Sequence, residues 1–299
     1  MKVKYIKKRL TSKKMELVEI ANKICEEYLE RGYILTLRQC YYQAVSKALI
    51  ENNNNSYKRF GEAVKDGRLL GLIDWAAIED RSRSLFGNNH IDNPAELIEK
   101  TVYRYKVDKW EGQPCYLECW IEKDALRQVA GKACAPLDVD YFPCKGYPSI
   151  SELRDAALRF QRRADRECII LYLGDHDPSG VDMDRNLRDA MALYGADVKI
   201  TRLALNMQQV QEYNPPPNFA KESDSRYGQY VKKYGEHCWE LDAMKPEIME
   251  DIIRAAIQKH MDADLFEAAC QREAEGRAEL RKLAANYTAV QRHLKELGA

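Results

Sequence analysis

What this sequence lacks narrows its class before any motif is read. No apolar run approaches the ~20 residues of a membrane-spanning helix, and the charged first residues lack the apolar core of a secretory signal. None of the nine cysteines forms a C-x-x-C pair, and no histidine lies near Cys115 or Cys119 to complete a zinc site. Reduced, mostly buried thiols of a cytoplasmic protein are expected instead. No G-x-x-x-x-G-K-[ST] string occurs, which leaves an internal P-loop ATPase unsupported. Repeats and low-complexity tracts are absent, apart from the asparagines at 52–55, which read as a loop. Net charge is missing too: 47 Lys plus Arg face 47 Asp plus Glu, a balance that by itself argues against nucleic acid. The distribution is less even. Residues 1–110 hold 21 basic and 15 acidic groups, and the first fourteen residues hold seven basic groups and no acid. Lys7 and Lys8 in that arm are candidate phosphate contacts, although a solvated tail has the same composition.

Residues 168–173 read as an apolar strand that stops at Gly174 and delivers Asp175 and Asp177 one residue apart. Pro178 and Gly180 then turn the chain into a polar helix over 182–193. Alternate residues of an extended chain share a side, so both carboxylates face one spot at the carboxyl end of a strand. That edge is where α/β sheets bind ligands. Close carboxylates repel unless a cation lies between them, and hard oxygen donors favour Mg²⁺. A strand-to-helix loop with an Asp cap gives the same D-x-D. Upstream, a second apolar strand over 115–121 ends in Glu122, followed by a helix over 123–134. A third strand, 138–143, leads through Lys145, Gly146, Tyr147, Pro148 and Ser149 to a helix ending near 163. Right-handed crossovers make such strands parallel, with their carboxyl ends on one edge. Glu122, Gly146 and the Asp pair therefore converge, and three carboxylates there suggest metal-assisted phosphoryl transfer. His176 points away from the pair, toward packing or a DNA contact. A last strand over 202–210 and a stiff connector at 214–218 complete this region.

The N-terminal segment reads as helical. An amphipathic helix over 12–31 ends at Gly32, and the next opens on a T-x-x-Q capping box, Thr36 to Gln39. Tyr41 falls on the apolar stripe of that second helix. Tyr42 lies about 100° away, in line with Arg38 on a polar face. A third helix over 56–69 and an extended hairpin through 71–83 match a winged helix, a variant of the helix-turn-helix DNA reader. Arg81 and Arg83 would then sit on the wing, able to track a phosphate backbone.

The acid motifs resemble the Toprim domain of topoisomerases, bacterial primases and several nucleases, which carries a Glu after its first strand and D-x-D-x-x-G after a later one. Here these are Glu122 and the string from Asp175 to Gly180. The fuller strings at 122–125, 145–149 and 174–180 are most similar to the catalytic A subunit of topoisomerase VI, whose group includes the meiotic double-strand-break transesterase. That group bears a tyrosine four residues after an arginine in a winged-helix domain preceding its Toprim domain, a spacing matched by Arg38 and Tyr42. The resemblance covers roughly residues 12–261. It implies Tyr42 as nucleophile with Arg38 as its electrostatic partner, and Mg²⁺ at Glu122, Asp175 and Asp177. Glu122 acts as metal ligand or general acid/base, and Gly146 and Gly180 support the site. Lys145 is a candidate DNA contact. The stretch 239–244 is similar to an E-L-x-A-L string late in the family, so Glu240 and Asp242 support the site, or else cap the helix that follows. The family's geometry further implies a homodimer on double-stranded DNA, with the tyrosine of one protomer serving the metal site of the other.

The expected architecture is thus α/β: a winged-helix domain over 1–110, a Toprim domain over 111–261 with a parallel sheet flanked by helices, and C-terminal helices over 262–299. The expected function is Mg²⁺-dependent DNA cleavage through a tyrosyl-phosphodiester, in a prokaryotic, nucleoid-associated protein. The topoisomerase subunit has a longer N-terminal extension that docks a separate ATPase subunit. This chain has only the short basic arm, which leaves that partner open. A Toprim metallonuclease using water, and a DNA-binding scaffold dimer that does not cut, are the alternatives.

Overall fold

The computed structural model describes residues 1–79 and 90–298. Two compact units result, Met1–Arg83 with Tyr116–Ile257, and Ser84–Cys115 with Gln258–Ala299. The stretch from Ser84 to Cys115 goes with the C-terminal helices, and the N-terminal helices and the sheet share one unit. Side-chain packing explains this: Ala243, far along the chain, is buried in the core of the N-terminal helices.

Those helices are α1 (Ser12–Glu30), α2 (Leu37–Ser46) and α3 (Asn54–Leu69). Gly32, at φ +74°, ends α1 in a conformation that costs glycine nothing. The Thr36–Gln39 capping box forms as its spacing predicts. The three apolar stripes close over Val18, Ile24, Tyr28, Leu35, Phe60 and Ile73. Beyond α3 no paired hairpin occurs among the described residues; isolated bridges join Lys4 to Leu70 and Leu35 to Ile78. Tyr5 and Ile6 donate their backbone N–H groups to the Leu69 carbonyl, so the basic arm is docked against the end of α3. Lys8 is spent on an ion pair with Asp66, 2.7 Å away. Arg81 and Arg83 lie outside the described residues.

After α4 (Pro94–Thr101) the chain enters the sheet through β1 (Cys115–Ile121), α5 (Arg127–Cys134), β2 (Asp140–Pro143), α6 (Ile150–Gln161), β3 (Glu167–Leu173), α7 (Pro178–Leu193) and β4 (Lys199–Ala204). The strands are parallel in the order β2-β1-β3-β4. Burial on both faces accounts for the continuous apolar character of the two central strands, β1 and β3. Trp120, Ile170 and Tyr172 pack under α6 and α7 with Phe160, Met183 and Leu187. On the opposite face of β1, Cys119 meets Cys134 of α5. The strand expected over 202–210 stops at Ala204. Asn206 and Gln209 form another capping box, which starts α8 (Met207–Tyr213), a helix signal within that segment. A small antiparallel pair, β5 (Asn218–Phe219) and β6 (His237–Cys238), brackets α9 (Tyr227–Tyr234) and leads to α10 (Pro246–Lys259).

In the second unit α4 is joined by α11 (Ala263–Ala285) and α12 (Tyr287–Glu296), so the C-terminal stretch is helical as expected. Lys109 and Glu273, both buried, pair there at 2.6 Å. Among the described residues no helix is long and apolar enough to cross a membrane.

Candidate active site

The carboxyl ends of β1 and β3 meet at one edge, tied by the Glu122 N–H donating to the Leu173 carbonyl at 2.8 Å. Just beyond that edge lies a cleft of about 1120 Å³. Glu122, Asp175 and Asp177 line it as the alternation predicts, and so do Gly146, Lys145, Glu240 and Asp242. Tyr42 and Arg38 of α2 line the same cleft. Lys7 and Lys8 do not.

Each of the three expected acids is already engaged. Glu122 Oε2 accepts from the Asp175 N–H at 2.8 Å and from the Tyr172 hydroxyl at 3.4 Å. Asp175 is 5% exposed; its Oδ1 accepts from the Leu241 N–H at 2.7 Å, and its Oδ2 lies 2.8 Å from Lys123 Nζ. Asp177 caps α7, accepting from the Gly180 N–H at 2.6 Å and from the Ser179 hydroxyl at 3.0 Å. The capping alternative is therefore what Asp177 does here. Among the described residues no three or more His, Cys, Asp or Glu side chains are gathered as they would be around a bound metal. The physical reason is Lys123, whose ammonium sits among Asp175, Glu240 and Asp242 at 2.8, 2.8 and 3.3 Å.

The electrostatics of the cluster show how much charge is confined there. Burial, and the neighbouring Asp177 charge, raise the Glu122 carboxyl above its usual range even though the Asp175 N–H opposes this. Burial raises Asp175 as well, against the pull of Lys123. Burial works against the Lys123 ammonium, but Asp175, Asp242 and Glu240 outweigh it and keep the group charged. Burial would raise Glu240, yet Lys123 and Arg38 hold it down at about 2. Asp242 is 1% exposed, and neither of its carboxylate oxygens has a hydrogen-bond partner. It is held by ion pairs alone, to Lys123 at 3.3 Å and to Arg38 at 3.7 Å.

Tyr42 departs from its expected place on an open polar face. It is 4% exposed, buried in the core of the N-terminal helices, and its hydroxyl accepts from Asn218 Nδ2 at 3.2 Å. The same amide reaches Glu240 Oε1 at 3.3 Å. Arg38 donates to Glu240 through Nε at 3.0 Å and through Nη2, and its guanidinium lies 5.6 Å from the centre of the Tyr42 ring. Burial and the Glu240 charge push the Tyr42 phenol up to about 12, against the pull of Asn218 and Arg38. An unbroken chain of contacts thus runs from Tyr42 through Asn218, Glu240 and Lys123 to Asp175. Tyr41 is core, as expected, but its hydroxyl is also used: it accepts from the Asn53 N–H at 3.0 Å and donates to the Glu51 carbonyl at 3.1 Å.

Three residues to which the sequence assigned no role prove central. Lys123 stands beside Glu122 in the motif string, and Asn218 ends the proline run read as a connector. Arg202, on β4, donates to the carbonyls of Gly174, Asp175, Gly180 and Leu205 and pairs with Asp184 at 2.9 Å. It pins the D-x-D loop to the start of α7. Arg202→Met should therefore destabilise the protein by about 3 kcal/mol, since charged hydrogen bonds to otherwise buried carbonyls are lost together. Thermal melting of the variant checks this; an unchanged midpoint would show that the loop holds without the clamp. His176 is buried against Tyr230, Tyr234 and Trp239, and its Nδ1 lies 2.8 Å from the Tyr230 hydroxyl, so it packs. Gly146, at φ +89°, donates its N–H to the Glu122 carbonyl at 3.0 Å.

The geometry defines a cleft at the edge of a parallel sheet, lined by Tyr42, Arg38 and Lys123 together with the carboxylates of Glu122, Asp175, Asp177, Glu240 and Asp242. No protein-family model matches this sequence, and no curated protein matches it either.

Proposed function

We propose that this chain is a Mg²⁺-dependent, DNA-cleaving transesterase similar to the topoisomerase VI A subunit, with α1–α3 acting as a winged-helix-like DNA reader. The single observation that carries this reading is the presence of Tyr42, Arg38 and the acid cluster in one cleft, joined through Glu240. Hard oxygen donors suit Mg²⁺, and the close approach of Glu122, Asp175 and Asp177 to one cleft, with Glu122 and Asp175 raised by burial, supports a divalent cation there. Asp175 and Asp177 would hold it, with Asp242 in support; Glu122 would either join them as a carboxylate or keep its proton and serve as the general acid. Bound there, Mg²⁺ would neutralise the charge that builds on a phosphate during displacement.

The chain's own groups supply the rest. Attack requires the Tyr42 phenol to give its proton to solvent water in the open cleft, which burial and Glu240 resist in the resting state. Arg38 is the group placed to stabilise the phenolate and the charge on phosphorus. Its present partner is Glu240, so a phosphodiester entering the cleft competes with Glu240 for that guanidinium. The phenolate oxygen forms a bond to phosphorus while the bond from phosphorus to one deoxyribose oxygen breaks, leaving a tyrosyl-phosphodiester. Glu122, which keeps its proton to higher pH than an ordinary carboxyl, is suited to protonate the departing oxygen. Lys145 is the cleft cation best placed to meet the DNA backbone. Cutting both strands would take a homodimer, one chain per strand; a separate ATPase subunit would add strand passage.

A denaturing gel of protein, labelled DNA and Mg²⁺ tests this. Wild type should yield protein-linked DNA, and Tyr42→Phe none while still binding. Tyr41→Phe should keep the adduct and lose about 1 kcal/mol of stability with its hydrogen bonds. The burial of Tyr42 favours one rival, a metallonuclease using water; free ends cut at full rate by Tyr42→Phe would establish it.

A further inference from the structure

At the mouth of the same cleft Phe219 is 75% exposed, an unusual placement for a large apolar ring. Its position is nonetheless fixed. Phe219 pairs with His237 across β5 and β6, the two rings stack with centroids 5.2 Å apart and planes 30° from parallel, and His237 leans in turn toward Trp239 at 6.5 Å. The strand that carries it is anchored on the reacting side: Asn218, the preceding residue, bonds the Tyr42 hydroxyl, and Asn52 Nδ2 reaches both Asn218 Oδ1 and the Pro217 carbonyl at 2.9 Å. Lys221, two residues further on, lines the cleft and is exposed.

A single flat ring, backed by a second and open on its outer face, matches a flat aromatic ligand better than a protein surface, which would need a wider apolar patch. Adjacent cations at Lys221 and Lys145 select a ring that comes attached to phosphate. Phe219 and Tyr42 line one cleft, but Asn218 and Phe219 are successive strand residues whose side chains face opposite ways, so the ring stands apart from the tyrosine that its neighbour bonds. We propose that Phe219, backed by His237, is a stacking platform for a nucleobase of the strand that enters the cleft. This rests on the DNA-cleaving reading and deepens it: the cleft takes a strand with a base unstacked at its mouth, so nicked, mismatched or bent DNA should bind more tightly than a relaxed duplex.

The test uses the full chain and oligonucleotides with 2-aminopurine at successive positions, whose fluorescence is quenched on stacking against an aromatic ring. Wild type should quench at one or two adjacent positions. Phe219→Ala should lose that quenching and bind single-stranded or mismatched DNA about tenfold or more weakly, the range seen when stacking aromatics are removed. Phe219→Trp should restore both, and His237→Ala should reduce both. Because the ring is exposed, Phe219→Ala should melt with the wild type, which separates lost stacking from lost folding. Equal affinity and equal quenching in Phe219→Ala overturn the platform and leave the cleavage reading standing. If wild type binds no DNA at all, both fall together.

Discussion

A mixture of Tyr42→Phe and Asp175→Asn chains is expected to form no covalent protein–DNA adduct, although each variant carries the residue that the other lacks. In the resembled family the tyrosine of one protomer serves the acid site of its partner. Such an arrangement would let a mixed dimer rebuild one intact site. Here Tyr42 and Asp175 are linked within one chain by Asn218, Glu240 and Lys123. A mixed dimer of this kind has a damaged site in both protomers, because each site loses either its nucleophile or an acid. The experiment combines equal amounts of the two variants, allows subunits to exchange, and reads adduct on a denaturing gel. Each variant alone should fall by at least about a hundredfold, as expected when a nucleophile or a charge-stabilising group is removed. The mixture should stay there. Recovery to a quarter or more of wild type would show that the sites are completed across the dimer, and that the contacts of Tyr42 belong to a resting arrangement only.

The same chain of contacts explains why the site was only partly legible in the sequence. The edge was legible, since strand–helix alternation places the ends of β1 and β3 together whatever the details, and Glu122, Asp175 and Asp177 follow from that. The capping box of α2 was legible for the same reason: cap chemistry is local. Tyr42 was placed on a polar face by the wheel of its own helix, which cannot register the core of the N-terminal helices that buries it or a hydroxyl partner 176 positions away, Asn218. Glu240 was placed near the site by a string resemblance, with helix capping as the alternative, and it turned out to hold Arg38, Lys123 and Asn218 at once. Lys123 stayed silent because a lysine after a catalytic acid has no periodicity or cap to reveal it. Its role depends on three carboxylates contributed by the end of β3 and by the loop before α10. The end of β4 was missed because an apolar alternation over 202–205 continued into residues whose capping box, Asn206 to Gln209, carried the stronger local signal.

Gly180→Ala should be the most damaging small substitution in the protein. A Cβ at that position would lie 2.4 Å from the Asp175 carbonyl oxygen, 3.0 Å from its carbon and 3.1 Å from Asp177 Oδ1. The nearest obstacle is backbone, which cannot rotate aside as a side chain would, so the first turn of α7 must move away from the D-x-D loop. That movement breaks three things together. Asp177 loses the Gly180 N–H that it caps at 2.6 Å, Arg202 loses its simultaneous hold on the carbonyls of Gly180 and Asp175, and the two aspartates no longer share one side of the cleft. Overpacking against rigid atoms costs about 3 kcal/mol at the upper end of its usual range. For a unit of this size that lowers the melting midpoint by roughly 6–12 °C. Gly146→Ala is the matched control. Gly146 sits at φ +89°, and a Cβ on it would have no neighbouring atom within 4 Å. Alanine there meets only the backbone strain of the left-handed region, about 1–2 kcal/mol. Calorimetry of the two variants should therefore separate them by several degrees, and the adduct should vanish in Gly180→Ala while persisting in Gly146→Ala. Equal midpoints, or an intact adduct in Gly180→Ala, would mean that the turn yields without cost and that the close approach of α7 to Asp175 does not set the geometry of the acid pair.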